Sequence, residues 1–111
     1  MKNTHPRTLR FINLTPHVIN DVSSGRSFPP SGEVARVSSE SVLLETWEGV
    51  EIYETHYGEI TGLPECKPDT ILIVSGMVKA ATFERLDVIS PGELVRDANG
   101  NPIGCKGFKI N

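Results

Sequence analysis

Cysteine, aromatic residues, surplus positive charge and long apolar runs are all scarce in this chain. It has two cysteines, Cys66 and Cys105, far apart and without CxxC spacing. That gives no disulfide framework, and two lone thiols are most simply free in a reducing compartment. Aromatics make up 6% of the residues, so the core must rely on Val, Ile and Leu. Eleven basic residues stand against 14 acidic ones, a net charge of −3. A duplex nucleic-acid binder normally shows a basic excess, so the balance argues against that class. No apolar stretch approaches the ~20 residues that cross a membrane as a helix. The first residues, Met1 to Arg7, are not followed by the apolar region of a signal peptide. The expectation is a cytoplasmic protein.

What is present is an ordinary globular balance, 38% apolar and 23% charged over 111 residues. The length suits a single domain over 1–111, with 1–7 as a frayed polar start. A domain this small buries a limited core, and an oligomer would bury more. The charge is unevenly spread. Met1 to Gly32 carries +3, Glu33 to Glu65 carries −7 with Arg36 its one base, and Cys66 to Asn111 carries +1. An anion site therefore fits the two terminal segments and Arg36 better than the middle.

Ten glycines and eight prolines cut the chain into short pieces. Leu9 to Leu14 reads as a strand, and Thr15-Pro16-His17 as a turn or bulge. Val18 to Val22 follows, then a turn over Ser23 to Arg26. Phe28 to Gly32 is extended, because proline restrains both itself and its predecessor. Glu33 to Ser38 and Val50 to Tyr57 are strand candidates, whereas Val42 to Trp47 is apolar but ambiguous. Gly58 and Gly62-Leu63-Pro64 break what comes next. Ile71 to Val74 suits a buried strand. Ser75 can cap a short helix over Gly76 to Thr82, with Met77, Val78 and Ala81 facing inward. Asp87 to Ile89 is extended and stops at Ser90-Pro91-Gly92. Leu94 to Arg96 and Ile103 to Ile110 flank Asn99-Gly100, a strong hairpin signal. The expected class is α+β, a mainly antiparallel sheet with one short helix and a C-terminal hairpin.

The motifs of catalysis are missing. His5, His17 and His56 lack ligand spacing with each other or with acids and cysteines, so no metal is expected. His17 suits turn hydrogen bonds, and His56 suits a solvent-facing position. Ser75 stands where a hydrolase elbow would place its serine, but the glycine two residues earlier is absent. Cys66 has no adjacent base. Phosphate loops and RNA-binding aromatic patterns are absent too. The reading is a protein without enzymatic activity or cofactor. Arg36, Arg85 and Arg96 lie in or beside apolar segments, where a guanidinium fork can meet phosphate or stack on a base. For each the alternative is a structural ion pair. That alternative is favoured for Arg85, between Glu84 and Asp87, and evenly matched for Arg36 and Arg96. Phe83, Tyr53, Tyr57 and Trp47 could stack on a base, but core or interface roles are commoner for such residues.

A series of phrases runs from Leu9 to Phe108. It holds Asn13-Leu14-Thr15-Pro16-His17, Pro29-Pro30-Ser31-Gly32, Ala35-Arg36-Val37, Tyr57-Gly58-Glu59, Gly62-Leu63-Pro64 and Ile73-Val74-Ser75. It ends with Pro91 to Asp97 and Gly104 to Phe108. In this order they resemble small phage proteins similar to the anti-Thoeris sponge family. The resemblance implies immune evasion in the infected bacterium. Such proteins hold cyclic ADP-ribose isomers, and some hold cyclic oligonucleotides of the CBASS system, without cleavage. It also implies a homo-oligomer, a dimer or a trimer of dimers, with pockets between protomers. The matching candidates for ligand contact are Arg36, Arg96, Arg85, Phe83, His17 and Asn13. The acidic middle segment counts against a dianionic ligand unless it faces away from the pocket. Two alternatives stand beside this reading: an enzyme degrading the same signals, and an accessory protein that docks on a host protein by strand addition.

Overall fold

The computed structural model describes residues 8–111. Its elements are β1 (Arg10–Asn13), β2 (Ile19–Asp21), β3 (Arg26–Phe28), β4 (Arg36–Trp47), β5 (Val50–Thr61), β6 (Thr70–Ile73), α1 (Gly76–Ala81), β7 (Val88–Arg96) and β8 (Pro102–Lys109). The class is α+β, strands with one short helix among the described residues. Two sheets form, one ordered β1-β6-β7-β8-β2-β3 and the other the hairpin β4-β5. The long registers, β4 with β5 and β7 with β8, are antiparallel. Three short ones, β1-β6, β6-β7 and β2-β8, are parallel.

The two ends of the larger sheet meet. Asn13 on β1 bridges to Pro30, just past β3. The Ser31 amide donates to the Asn13 carbonyl at 3.0 Å. The sheet thus closes on itself at the point where its two edge strands meet.

Alternation along the strands sorts side chains to two sides. Phe11, Ile19, Phe28, Ile73, Ile89, Cys105 and Phe108 pack together inside the closed sheet. Phe28 meets Phe108 edge-on at 5.6 Å and Phe11 at 5.3 Å. Neighbouring positions on the same strands, Ile12, Leu72 and Val88, point outward with Leu14 and Val74. There Val78 of α1 and Ala35, Val37, Ile60 and Leu63 cover them. Each such fully buried aliphatic contributes about 1.5–3 kcal/mol.

Ser75 caps α1 as its position suggests, its Oγ accepting from the Val78 amide at 3.3 Å. The helix face differs from the expected one. Met77 is half exposed, whereas Lys79 is buried. Its stem covers the core while Nζ donates to the Arg85 carbonyl at 2.7 Å, so the ammonium keeps a partner. Burial pushes its pKa below the usual lysine range, partly offset by Asp87 and Glu84.

Two expected breaks are bridged. Strand β7 runs through Ser90-Pro91-Gly92. Gly92 permits this because a Cβ there would collide with the Lys106 and Gly107 carbonyl oxygens. Strand β5 likewise runs through Gly58, where a Cβ would collide with the Ser38 side chain. The expected strand over 33–38 begins only at Arg36, and from there it runs on through 42–47 as one long strand. Its turn, Glu48-Gly49, has φ of 49° and 83°. Two left-handed residues in a row make the tight turn that matches strand twist.

Strands β4 and β5 have 12 residues each, or roughly 40 Å at ~3.3 Å per residue. Only their base touches the core, so they project as an arm. The radius of gyration is 17.0 Å and the long axis 56 Å, against about 13 Å for a compact chain of ~100 residues.

Candidate functional site

Arg36 opens β4 where the arm leaves the body. It is preceded by buried Ala35, whose amide donates to the Leu14 carbonyl at 3.0 Å. That bond ties the arm's root to the loop after β1. On the other side, β5 ends at Thr61 and Gly62 follows it. Gly62 has φ of 77° and passes so near the Val34 carbonyl that a Cβ would collide with it.

Between this root, the β1 loop and α1 lies a cleft of about 200 Å³, lined by Leu14, Thr15, Pro16, Val34, Ala35, Arg36, Val37, Ser75, Met77 and Val78. Its walls are mostly apolar, and its polar groups are the Arg36 guanidinium and the Thr15 and Ser75 hydroxyls. Arg36 is exposed, and its side chain makes no hydrogen bond or ion pair with the described residues. Its donors are therefore available. The Thr15 hydroxyl donates to Asn13 Oδ1 at 2.7 Å. A mostly apolar cleft with one unspent guanidinium can seat an aromatic or sugar face and pin an anionic group at its mouth.

The other candidates are distributed differently. Asn13 is buried, and its amide is fully used. Nδ2 donates to the carbonyls of His17 at 2.7 Å and Phe28 at 2.8 Å, while Oδ1 accepts from Thr15. It builds the loop that shapes the cleft rather than facing a ligand. His17 follows Pro16 and stays exposed, and its carbonyl closes the same loop. This agrees with the turn role read from its position.

Arg85 takes the structural alternative. Nε and Nη2 donate to the two Asp87 carboxylate oxygens at 2.9 and 2.7 Å, and Nη2 also reaches the Pro64 carbonyl at 3.1 Å. This fork holds the Asp87 pKa below the usual carboxylate range. Arg96 is exposed and donates to the Gly100 carbonyl at 2.8 Å, closing the β7-β8 turn. Neither lines the Arg36 cleft.

Phe83 is 69% exposed. It lines a separate depression of about 260 Å³ with Gly76, Lys79, Ala80, Ser90, Pro91, Lys109 and Asn111. One copy of the chain therefore does not gather the six candidates; Arg36 and Phe83 occupy different hollows. Tyr53, Tyr57 and Trp47 lie exposed on the arm rather than in the core. Sequence reading missed the cleft roles of Thr15, Ser75 and Met77. Their signals were present, since Thr15-Pro16 marks a turn and Ser75 a helix start, but neither tells which elements converge.

Among the described residues no three His, Cys, Asp or Glu side chains cluster at metal-binding distance. No helix among them is long and apolar enough to cross a membrane. No family model, curated protein or solved structure matches the chain.

Proposed function

We propose that this chain is a non-enzymatic binder that sequesters a small cyclic nucleotide signal, in the manner of a phage immune-evasion protein. The ligand class is a cyclic ADP-ribose isomer, with cyclic oligonucleotides as relatives of the same chemistry. The observation that carries the reading is Arg36, a guanidinium without a partner among the described residues, in the lining of the cleft between the arm's root and α1. Phosphate would take its fork, and the apolar wall from Pro16 to Val78 would lie against a sugar or base. No nucleophile–base pair stands in that cleft. Ser75 caps the helix, and His17 lies outside the lining.

The cleft's size sets a further condition. At about 200 Å³ and open to solvent, it falls below the ~300–1,000 Å³ of sites that enclose a small molecule. Tight retention needs enclosure. In this reading a second copy of the chain covers the cleft, giving a homo-oligomer with the ligand between protomers. The setting is the cytoplasm of an infected bacterium.

One feature favours a different reading. The arm's strands are paired only with each other, so each keeps an open edge. A protein partner could add a strand there, which would make the chain an accessory factor docking on a host protein. Calorimetry separates the two. Titration of cyclic ADP-ribose isomers should give binding in the wild type and none in Arg36→Ala. Heat from neither, together with capture of a host protein through the arm, would favour the docking reading.

A further inference from the structure

Strands β7 and β8 set Ser90 opposite Lys109. Opposed residues of an antiparallel pair share a face. Their chain neighbours, Ile89 and Phe108, pack inside the closed sheet. Alternation therefore sends Ser90 and Lys109 to the outer side. There Gly76, Lys79 and Ala80 stand on one face of α1, three and four residues apart, and Phe83 follows just beyond the helix. Helix face and strand pair enclose the hollow of about 260 Å³.

This hollow is not a packed seam. A Cβ on Gly76 would meet no atom within 4 Å, so that wall stands open. Ser90 is 5% exposed, yet its hydroxyl makes no hydrogen bond with the described residues. A hydroxyl taken this far out of water ordinarily has a partner. Its remaining opening is the hollow that it lines. The exposed Lys109 side chain likewise has no hydrogen bond or ion pair with the described residues. Buried Lys79 spends one donor on the Arg85 carbonyl, and an ammonium has three. The lining thus holds two lysines, the exposed Phe83 ring and an unspent hydroxyl, and no Asp or Glu. Glu84 and Asp87, the acids that act on Lys79, lie outside it.

We propose that this hollow is a second binding site, separate from the Arg36 cleft, for a small aromatic anion: one planar ring carrying a carboxylate or phosphate group. The Phe83 ring packs on the ligand's ring. Lys109 and the spare donors of Lys79 take the anionic group. The Ser90 hydroxyl donates to it from the floor of the hollow, which gives the hydroxyl the partner it lacks in the free protein. At about 260 Å³ the hollow falls below the ~300–1,000 Å³ that encloses a larger ligand. It suits a single ring rather than a cyclic dinucleotide.

Benzoate and phenyl phosphate are the probes, followed through the backbone amide signals of the isotope-labelled full chain. Binding at about 1 mM or tighter should move the amides of Gly76, Ala80, Ser90 and Lys109 saturably, and the tighter probe identifies the anionic group. Benzamide, without the charge, and cyclohexanecarboxylate, without the aromatic face, should bind at least about threefold more weakly. Lys109→Gln should weaken benzoate by about tenfold, and Phe83→Ala by about three- to tenfold. Both side chains are exposed, so both variants should fold. Ser90→Ala separates a ligand role from a structural one. It should bind benzoate more weakly while melting no lower than the wild type, because the hydroxyl it removes has no partner in the free protein. Three results would overturn the proposal: no saturable shift with either probe, benzamide bound as well as benzoate, or Lys109→Gln and Phe83→Ala variants that bind as wild type. A Ser90→Ala variant that melts lower and binds unchanged would overturn it too. Arg36→Ala should leave benzoate binding unchanged while abolishing that of a cyclic nucleotide, so failure at one site is read separately from failure at the other.

Discussion

The Asp21 carboxylate accepts a hydrogen bond from the Gly107 amide at 2.8 Å, joining residues 86 apart in sequence. Asp21 also takes the Ser23 amide at 3.0 Å and the Ser23 and Ser24 hydroxyls at 2.7 Å each. One carboxylate thus fixes the β2-β3 turn and fastens it to β8. Its donors, the serine hydroxyls foremost, hold its pKa far below the usual range. A carboxylate depressed in the fold adds stability above its unfolded pKa of ~3.9, and that stability drains away as pH falls toward the folded value. Melting temperature should therefore be flat near neutrality and fall below about pH 4. Asp21→Asn should lower the melting temperature at pH 7 and flatten this acid limb. An unchanged limb would show that other carboxylates set it.

Asn13 and Arg85 should behave as structural residues. Asn13→Ala removes the partner of the Phe28 carbonyl and of the Thr15 amide in a buried loop, and leaves the His17 carbonyl with the Thr15 hydroxyl at 3.2 Å. A cost of about 2–4 kcal/mol is expected in urea unfolding, since a buried polar group left without a partner costs about 1–3 kcal/mol. Asn13→Asp should be worse, because it turns a carboxylate toward two carbonyl oxygens. Arg85→Ala uncouples Asp87 and the Pro64 carbonyl, and should cost about 1–3 kcal/mol. Arg36→Ala should change stability by less than about 0.5 kcal/mol, as expected for an exposed side chain without partners.

Gly62→Ala should destabilise the arm's root. Its φ of 77° suits glycine, and a Cβ would press on the Val34 carbonyl. The backbone strain alone is worth about 1–2 kcal/mol. Gly49→Ala at the arm's tip shares a positive φ, 83°, but meets no neighbouring atom within 4 Å. It should cost less. Equal unfolding midpoints for the two would contradict this account of Gly62.

The two thiols should differ in reactivity. Cys66 is exposed and Cys105 is buried. Burial pushes the Cys105 thiol pKa up, which lowers its thiolate fraction. A disulfide-exchange reagent should titrate one thiol at once in the folded protein and the second only after unfolding. Two fast thiols would place Cys105 outside the core.

Much of the fold was legible from local signals. Ile71 to Val74 showed its buried strand through an unbroken apolar run, Ser75 its cap, and Asn99-Gly100 its hairpin. What could not be read was long-range. Nothing local says that Asn13 meets Pro30 and closes the sheet, because a bridge between those positions leaves no periodic trace. Gly92 and Gly58 looked like breakers, and only their close neighbours show why the strands pass through them. Of the site residues, acids flanking Arg85 gave away its ion pair. Arg36 carried a weaker sign, as the lone base in an acidic stretch. Its cleft depends on the β1 loop and α1 converging there, which is a property of the tertiary structure.

The proposed function is to hold a cyclic nucleotide without altering it. Native mass spectrometry of the protein mixed with cyclic ADP-ribose isomers and cyclic di- and trinucleotides tests it, followed by heating and assay of the released ligand. The expected result is a ligand bound at fixed stoichiometry on an oligomer, lost in Arg36→Ala and released intact by heat. Absence of any bound nucleotide, or release of a cleaved one, would contradict it.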